Sequence, residues 1–189
     1  MSVVLVVLLA ACGGDASPRR ARVSDADTAE SSTQSGTTVA SSGALAVGES
    51  CPGALPRQVA EGFGAALGPG PVYPVFPGGN GTLMLSTSFP GGWPGQKVLW
   101  IVDPAYKGPV VVRGVRLDAP GYVGFGEGVD PLLELRLELP RNAVVPNTPA
   151  PTWRNWPTST RVPGDGCYAY IVTGSGFSYS IAFSARADP

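Results

Sequence analysis

The C-terminal stretch, residues 167–185, constrains the fold more than any other part of the chain. Phe177, Tyr179, Ile181 and Phe183 alternate with Ser178, Ser180, Ala182 and Ser184. That period of two belongs to a β-strand with one face in a core and the other in water. A second strand-forming run, 167–173, precedes it across Gly174-Ser175-Gly176, so the two read as a hairpin. A protein that ends in such a hairpin must supply further strands to cover the aromatic face.

Those strands follow from the punctuation of the rest of the chain. The 26 glycines and 20 prolines separate short apolar runs instead of forming a low-complexity tract, which is the pattern of many strands joined by turns. The runs 72–76 (an edge strand), 82–89, 97–102 and 110–117 read this way. In 132–139, Leu133, Leu135, Leu137 and Leu139 alternate with Glu134, Arg136 and Glu138, as in a half-buried antiparallel strand. A short helix fits only 58–67, and Gly62, Gly64 and Gly68 weaken it. The fold expected is all-β, an antiparallel β-sandwich of immunoglobulin-like or similar type, with a small barrel as the alternative.

Three of the 13 basic and four of the 14 acidic residues precede Gly48, leaving ten of each in the folding region. A neutral domain is a poor partner for nucleic acid. Histidine is absent, which removes the commonest general base and the commonest metal ligand together. No Gly-x-Ser-x-Gly elbow occurs either. The sequence therefore offers no catalytic residue, no metal ligand set and no cofactor motif.

Cysteine usage bears on location. Leu9-Ala10-Ala11-Cys12 closes the apolar run 3–11 and has the form of a bacterial lipobox, in which a diacylglycerol group joins the Cys12 thiol before the signal is cleaved. No positive residue precedes the run, unlike a full secretory signal, which points to a translation start upstream of Met1. Nine apolar residues are too few to cross a bilayer core of roughly 30 Å. Residues 13–47 are rich in Ser, Thr, Ala, Asp and Gly and hold no aromatic residue, as a disordered tether does. Its reach as a coil is roughly 30–35 Å. Three segments result: 1–11 a lipoprotein signal peptide, 12–47 the lipidated cysteine and linker, and 48–189 the β-sandwich domain. With Cys12 assigned to lipid, Cys51 and Cys167 remain to form a disulfide, as expected of an exported protein. A loop this long makes the bond worth about 4–5 kcal/mol by the chain-entropy argument.

Candidate chemistry is sparse. Glu134 and Glu138 lie four strand residues apart, near 13 Å, too far for either glycosidase geometry, which needs about 5 Å or about 6.5–9.5 Å. They read as a charge ladder on a solvated face. The glycine-rich 121–128 lacks the lysine of a phosphate-binding loop, and Asp118, Glu127 and Asp130 do not have the spacing of a calcium loop. Asn80-Gly81-Thr82 reads as a turn. Trp93, Trp153 and Trp156 are the candidate ligand-binding residues: Trp93 sits in a Pro/Gly-rich loop, and Trp153 and Trp156 flank Arg154. Such aromatic platforms suit a sugar ring or a protein partner; the competing use is to cap the ends of the core.

Two stretches, 97–110 (KVLWIVDPAYKGPV) and Trp153-x-x-Trp156-Pro157 through Arg161-Val162-Pro163 to Gly166-Cys167-Tyr168, together with Gly176-Phe177-Ser178, resemble segments of uncharacterised exported bacterial lipoproteins. The resemblance implies export and strengthens the terminal hairpin; it implies no activity. The function expected is that of a lipid-anchored, extracytoplasmic binding or structural module of the cell envelope. It would be held to the membrane through Cys12, with cell-wall glycan or an envelope protein as partner. The alternative is a glycan-active hydrolase using carboxylates alone, which requires two of Asp103, Asp118, Glu127, Asp130 and Asp165 to share one cleft.

Overall fold

A computed structural model describes residues 50–138 and 152–188, all within the compact unit Thr38–Pro189. Cys12, the signal and linker segments and Leu139 lie outside the described residues. The described chain is all-β, with one short 3-10 turn at Pro90–Gly92. Its strands are β1 (Arg57–Gln58), β2 (Ala65–Ala66), β3 (Val72–Val75), β4 (Thr82–Leu85), β5 (Gly95–Val102), β6 (Val110–Arg116), β7 (Gly124–Phe125), β8 (Leu135–Leu137), β9 (Arg154–Arg161), β10 (Gly166–Gly174) and β11 (Phe177–Ala187). Among the described residues no helix is long and apolar enough to cross a membrane.

The strands form two sheets, β1-β2-β3-β5-β9-β7 (sheet A) and β4-β11-β10-β6-β8 (sheet B), in which β4 runs parallel to β11 and every other pair is antiparallel. This is the β-sandwich expected. The C-terminal hairpin is β10 and β11, in register from Gly166↔Ala185 to Gly174↔Phe177. Its inward side chains build the core: Tyr168, Tyr170, Val172, Ile181 and Phe183 meet Val72, Val98, Trp100, Val102 and Trp156 of sheet A. Tyr170 stacks on Phe183 at 4.4 Å and meets Trp100 edge-on at 5.0 Å. Its hydroxyl spans the sheets to Thr160 Oγ1 at 2.8 Å, so this buried hydroxyl has a partner. Burial drives the Tyr170 pKa well above the tyrosine range.

Four local expectations change. Residues 58–67 form no helix: Gly62 and Gly64 hold φ of 82° and 83°, which turns the chain back into the β1–β2 hairpin. The run 72–76 is no edge, since β3 lies between β2 and β5. Pro74 is tolerated there because its carbonyl points at Leu67 N; its missing N–H therefore faces β2 and costs the β5 ladder nothing. The strand in 132–139 contracts to Leu135–Leu137. Leu132 bridges to Phe125 of sheet A instead, so the segment crosses from one sheet to the other and leaves Leu133 54% exposed. Finally, residues 154–161, to which the sequence assigns no strand, are β9, paired to β5 along its whole length. Pro157 conceals that strand, yet it fits the same way as Pro74. Ser159 O accepts from Gly126 N, away from β5, so Pro157 two residues earlier also faces away.

Cys51 and Cys167 are disulfide-bonded, with Cα atoms 5.3 Å apart and 116 residues of separation. The bond fastens the chain's entry to β10. Asn80 Oδ1 accepts from Thr82 N at 3.0 Å, which makes 80–82 the turn expected.

Candidate functional site

Side chains paired across an antiparallel ladder share a face, so register alone maps the outer surface of sheet A. Tyr73, Ile101 and Asn155 form one row, Val75, Leu99 and Pro157 the next, then Lys97 with Ser159, and last Gly95 with Arg161. Inward residues feed the inter-sheet core, while this outward set builds a second apolar cluster: Ala60, Ala66, Tyr73, Val75 and Ile101, with Val59, Phe63, Leu99 and Trp153 packed on it. The β1–β2 hairpin roofs the Tyr73 end, where Arg57 stands over the Tyr73 ring at 5.6 Å and donates to the carbonyls of Gly68 and Pro69.

The roof stops short. Between Phe63-Gly64-Ala65 on one side and Lys97 on the other lies a groove of about 400 Å³, floored by Val75, Leu99 and Pro157 and bordered by Pro77, Gly78 and Thr158. Its wall is mostly apolar. The Lys97 ammonium closes the far side in an exposed ion pair with Glu127, and Ser159 Oγ donates to Glu127 at 3.4 Å.

Beyond Lys97, the face ends under two loops. Arg161 is fully buried there. Among the described residues its guanidinium meets no carboxylate; Nε donates to Trp93 O at 3.0 Å, Nη1 to Gly128 O and Nη2 to Pro90 O, and the group lies 5.5 Å from the Phe89 ring centre. A planar fork of donors suits three backbone carbonyls, and the cation–π contact replaces part of the lost hydration. Arg161 thus pins the 89–93 and 126–130 loops over the sheet. Nothing in the bare sequence Thr160-Arg161-Val162 signals this, because an arginine in a polar-looking run reads as solvated.

The three candidate tryptophans separate. Trp153, just ahead of β9, is half-buried against Tyr73 with ring centres 6.0 Å apart. Trp93 is half-buried at the opposite end: a Cβ placed on Gly124 would meet Pro131 at 2.5 Å and the Trp93 ring at 3.5 Å, and Gly124 pairs with Arg161, which puts Trp93 on the same outer face. The seven steps from Gly95 to Val102 separate the two by about 24 Å. Trp156 does not join them. Its side chain is in the inter-sheet core, 4% exposed, because a spacing of three on a strand puts Trp153 and Trp156 on opposite faces. Arg154 turns from the groove toward the β5–β6 connection, with Nη2 3.4 Å from Asp103 O; burial lowers its pKa, with Tyr106 and Asp103 opposing.

Of the five acids named for a carboxylate enzyme, two share a cleft. Asp118 and Asp165 border an opening of about 380 Å³ beside Cys51, Cys167, Ser184 and Arg186. Both are occupied in structural bonds: Asp118 Oδ1 takes Arg116 Nε at 2.7 Å and Oδ2 takes Cys167 N at 3.1 Å, and Asp165 Oδ1 takes Ala187 N at 2.7 Å. Arg116, with the Cys167 amide, holds the Asp118 carboxyl below the usual range, the reverse of what a general acid needs. Asp103 receives Ala105 N at 2.8 Å, Glu127 pairs with Lys97, and Asp130 is exposed in the 126–130 loop. Glu134 is held by Arg113 and Arg136, the charge ladder expected. No group of three or more metal-ligating residues occurs among the described residues.

Compared with family models, with curated proteins and with solved structures, the chain matches none.

Proposed function

We propose that this chain is a lipid-anchored, extracytoplasmic binding module of the cell envelope, whose ligand lies along the outer face of sheet A. The supporting observation is the groove between Phe63 and Lys97, with a half-buried tryptophan on the same face at each end. A face about 24 Å long with apolar floor and aromatic termini suits an extended ligand, such as a wall glycan strand or a segment of an envelope protein. Cys12 and the 13–47 linker supply the anchor and the reach.

Two measurements test the parts separately. Intact mass spectrometry of the membrane fraction reads lipidation, with Cys12→Ala as control; unmodified Cys12 removes the anchor. Co-sedimentation with insoluble wall polysaccharide, and titration against purified envelope proteins, read binding. The double variant Trp93→Ala/Trp153→Ala is expected to weaken retention about tenfold or more, as loss of aromatic anchors does. Retention by neither class of ligand, or retention indifferent to both tryptophans, removes the assignment of the face.

A further inference from the structure

The cleft beside Asp118 opens on both sulfur-bearing residues of the disulfide. Cys51 is half-buried, whereas Cys167 is 4% exposed. On the far side of Cys51 runs a strap, residues 50–56, without regular secondary structure. Among the described residues one backbone hydrogen bond joins it to the sheets, Ala54 N to Ala182 O at 2.9 Å. Leu55 on the strap is 86% exposed and the small Ala54 is the side chain it packs against the core, so little apolar surface holds it down. Sheet B itself does not need the bond: β10 is in register with β11 over nine pairs and with β6 over seven. A covalent bond reachable from solvent therefore fastens a segment that has few other fastenings to a strand that has many.

We propose that Cys51–Cys167 is a redox latch on the strap, opened by a dithiol reductant that enters the cleft. A thiolate of the reductant attacks the Sγ of Cys51, the more exposed of the two residues. The Sγ–Sγ bond breaks and Cys167 leaves as thiolate, to be protonated from solvent. The second thiol of the reductant then displaces Cys51 from the mixed disulfide. The protein gains two electrons and two protons, and the dithiol becomes a disulfide. Opening frees residues 50–56 to exchange while the two sheets stay folded, since one backbone bond, Ala54 N to Ala182 O, then joins the strap to the sheets among the described residues.

The full-length chain is treated with dithiothreitol without denaturant, alkylated, and mapped by peptide mass so that Cys12 is scored apart from Cys51 and Cys167. Hydrogen exchange is followed on the same samples. Reduction of both cysteines in the folded protein is expected, with protection of the strap amide Ala54 falling about tenfold or more and that of β10 and β11 unchanged. A Cys51→Ser/Cys167→Ser variant should show the same local exchange; if it fails to fold, the natively reduced chain still gives the reading. Sulfurs that stay bonded until urea unfolds the chain overturn the proposal. So does reduction that strips protection from β10 and β11 along with the strap, or that leaves Ala54 protected.

Discussion

The two sheets put opposite surfaces outward. On sheet B the outer rows mix polar and apolar residues, Ser180 with Ile171 and Arg113 and Ser178 with Thr173 and Val111, and β11 turns these serines to solvent. Sheet A instead exposes Leu99, Pro157 and Trp153 around a second apolar cluster that the β1–β2 hairpin covers only in part. A two-layer sandwich needs one buried face per sheet. Sheet A places apolar residues on a second, and this surplus is the observation on which the proposed binding face rests.

Breaking the shared inner face should cost most. Phe183→Ala removes a ring stacked on Tyr168 and Tyr170 and should destabilise by about 3–5 kcal/mol in urea titration, whereas Ser180→Ala, three residues away on the outer face, should change stability by less than about 0.5 kcal/mol. Equal effects would remove the distinction between the faces of β11. Next comes the loop end of sheet A. Arg161→Leu leaves the carbonyls of Pro90, Trp93 and Gly128 without their donor and should cost about 2–4 kcal/mol, with exchange rising in the 89–93 and 126–130 loops before it rises elsewhere.

Titration separates the layers more finely. Tyr170 is buried neutral, its folded pKa raised above the unfolded value. Its contribution is therefore complete below about pH 10 and is lost as pH rises beyond it, because the unfolded chain ionises first. Tyr170→Phe should flatten that alkaline decline at a cost of about 1 kcal/mol near neutrality for the Thr160 bond. Asp118 has the opposite sign. Its folded pKa is depressed by Arg116, so its contribution is complete above the unfolded value of about 4 and fades as pH falls through the lower folded value. Asp118→Asn should remove a small part of the acid-side loss, the least of these effects, since the carboxylate is solvated.

The inner face of sheet B can be read from the chain because β11 alternates without interruption: each residue from Phe177 to Phe183 obeys the period of two. Sheet A was harder to read for a physical reason. Its strands β3, β5 and β9 have apolar residues on both sides, so Val98-Leu99-Trp100-Ile101 shows no alternation, and Pro74 and Pro157 look like strand breakers until the direction of their missing N–H groups is known. Trp153 and Trp156 look like a pair in the sequence, but the strand sends them to opposite faces. Arg161 has no local signal at all; its partners come from loops 33 to 71 residues earlier in the chain. The disulfide followed from counting cysteines, but that it holds the chain's entry to a central strand is a matter of topology.

That topology has a mechanical side. A pull applied through the residues preceding Ser50 meets Cys51 first and passes across the sulfurs into β10, which lies between β11 and β6. The strands that shape the groove, β3, β5 and β9, are outside this line of force, so the shape of the face is insulated from tension on the chain. With the sulfurs parted, the same pull would meet the Ala54 bond to β11 and then the β1–β2 hairpin, whose Phe63 forms a wall of the groove.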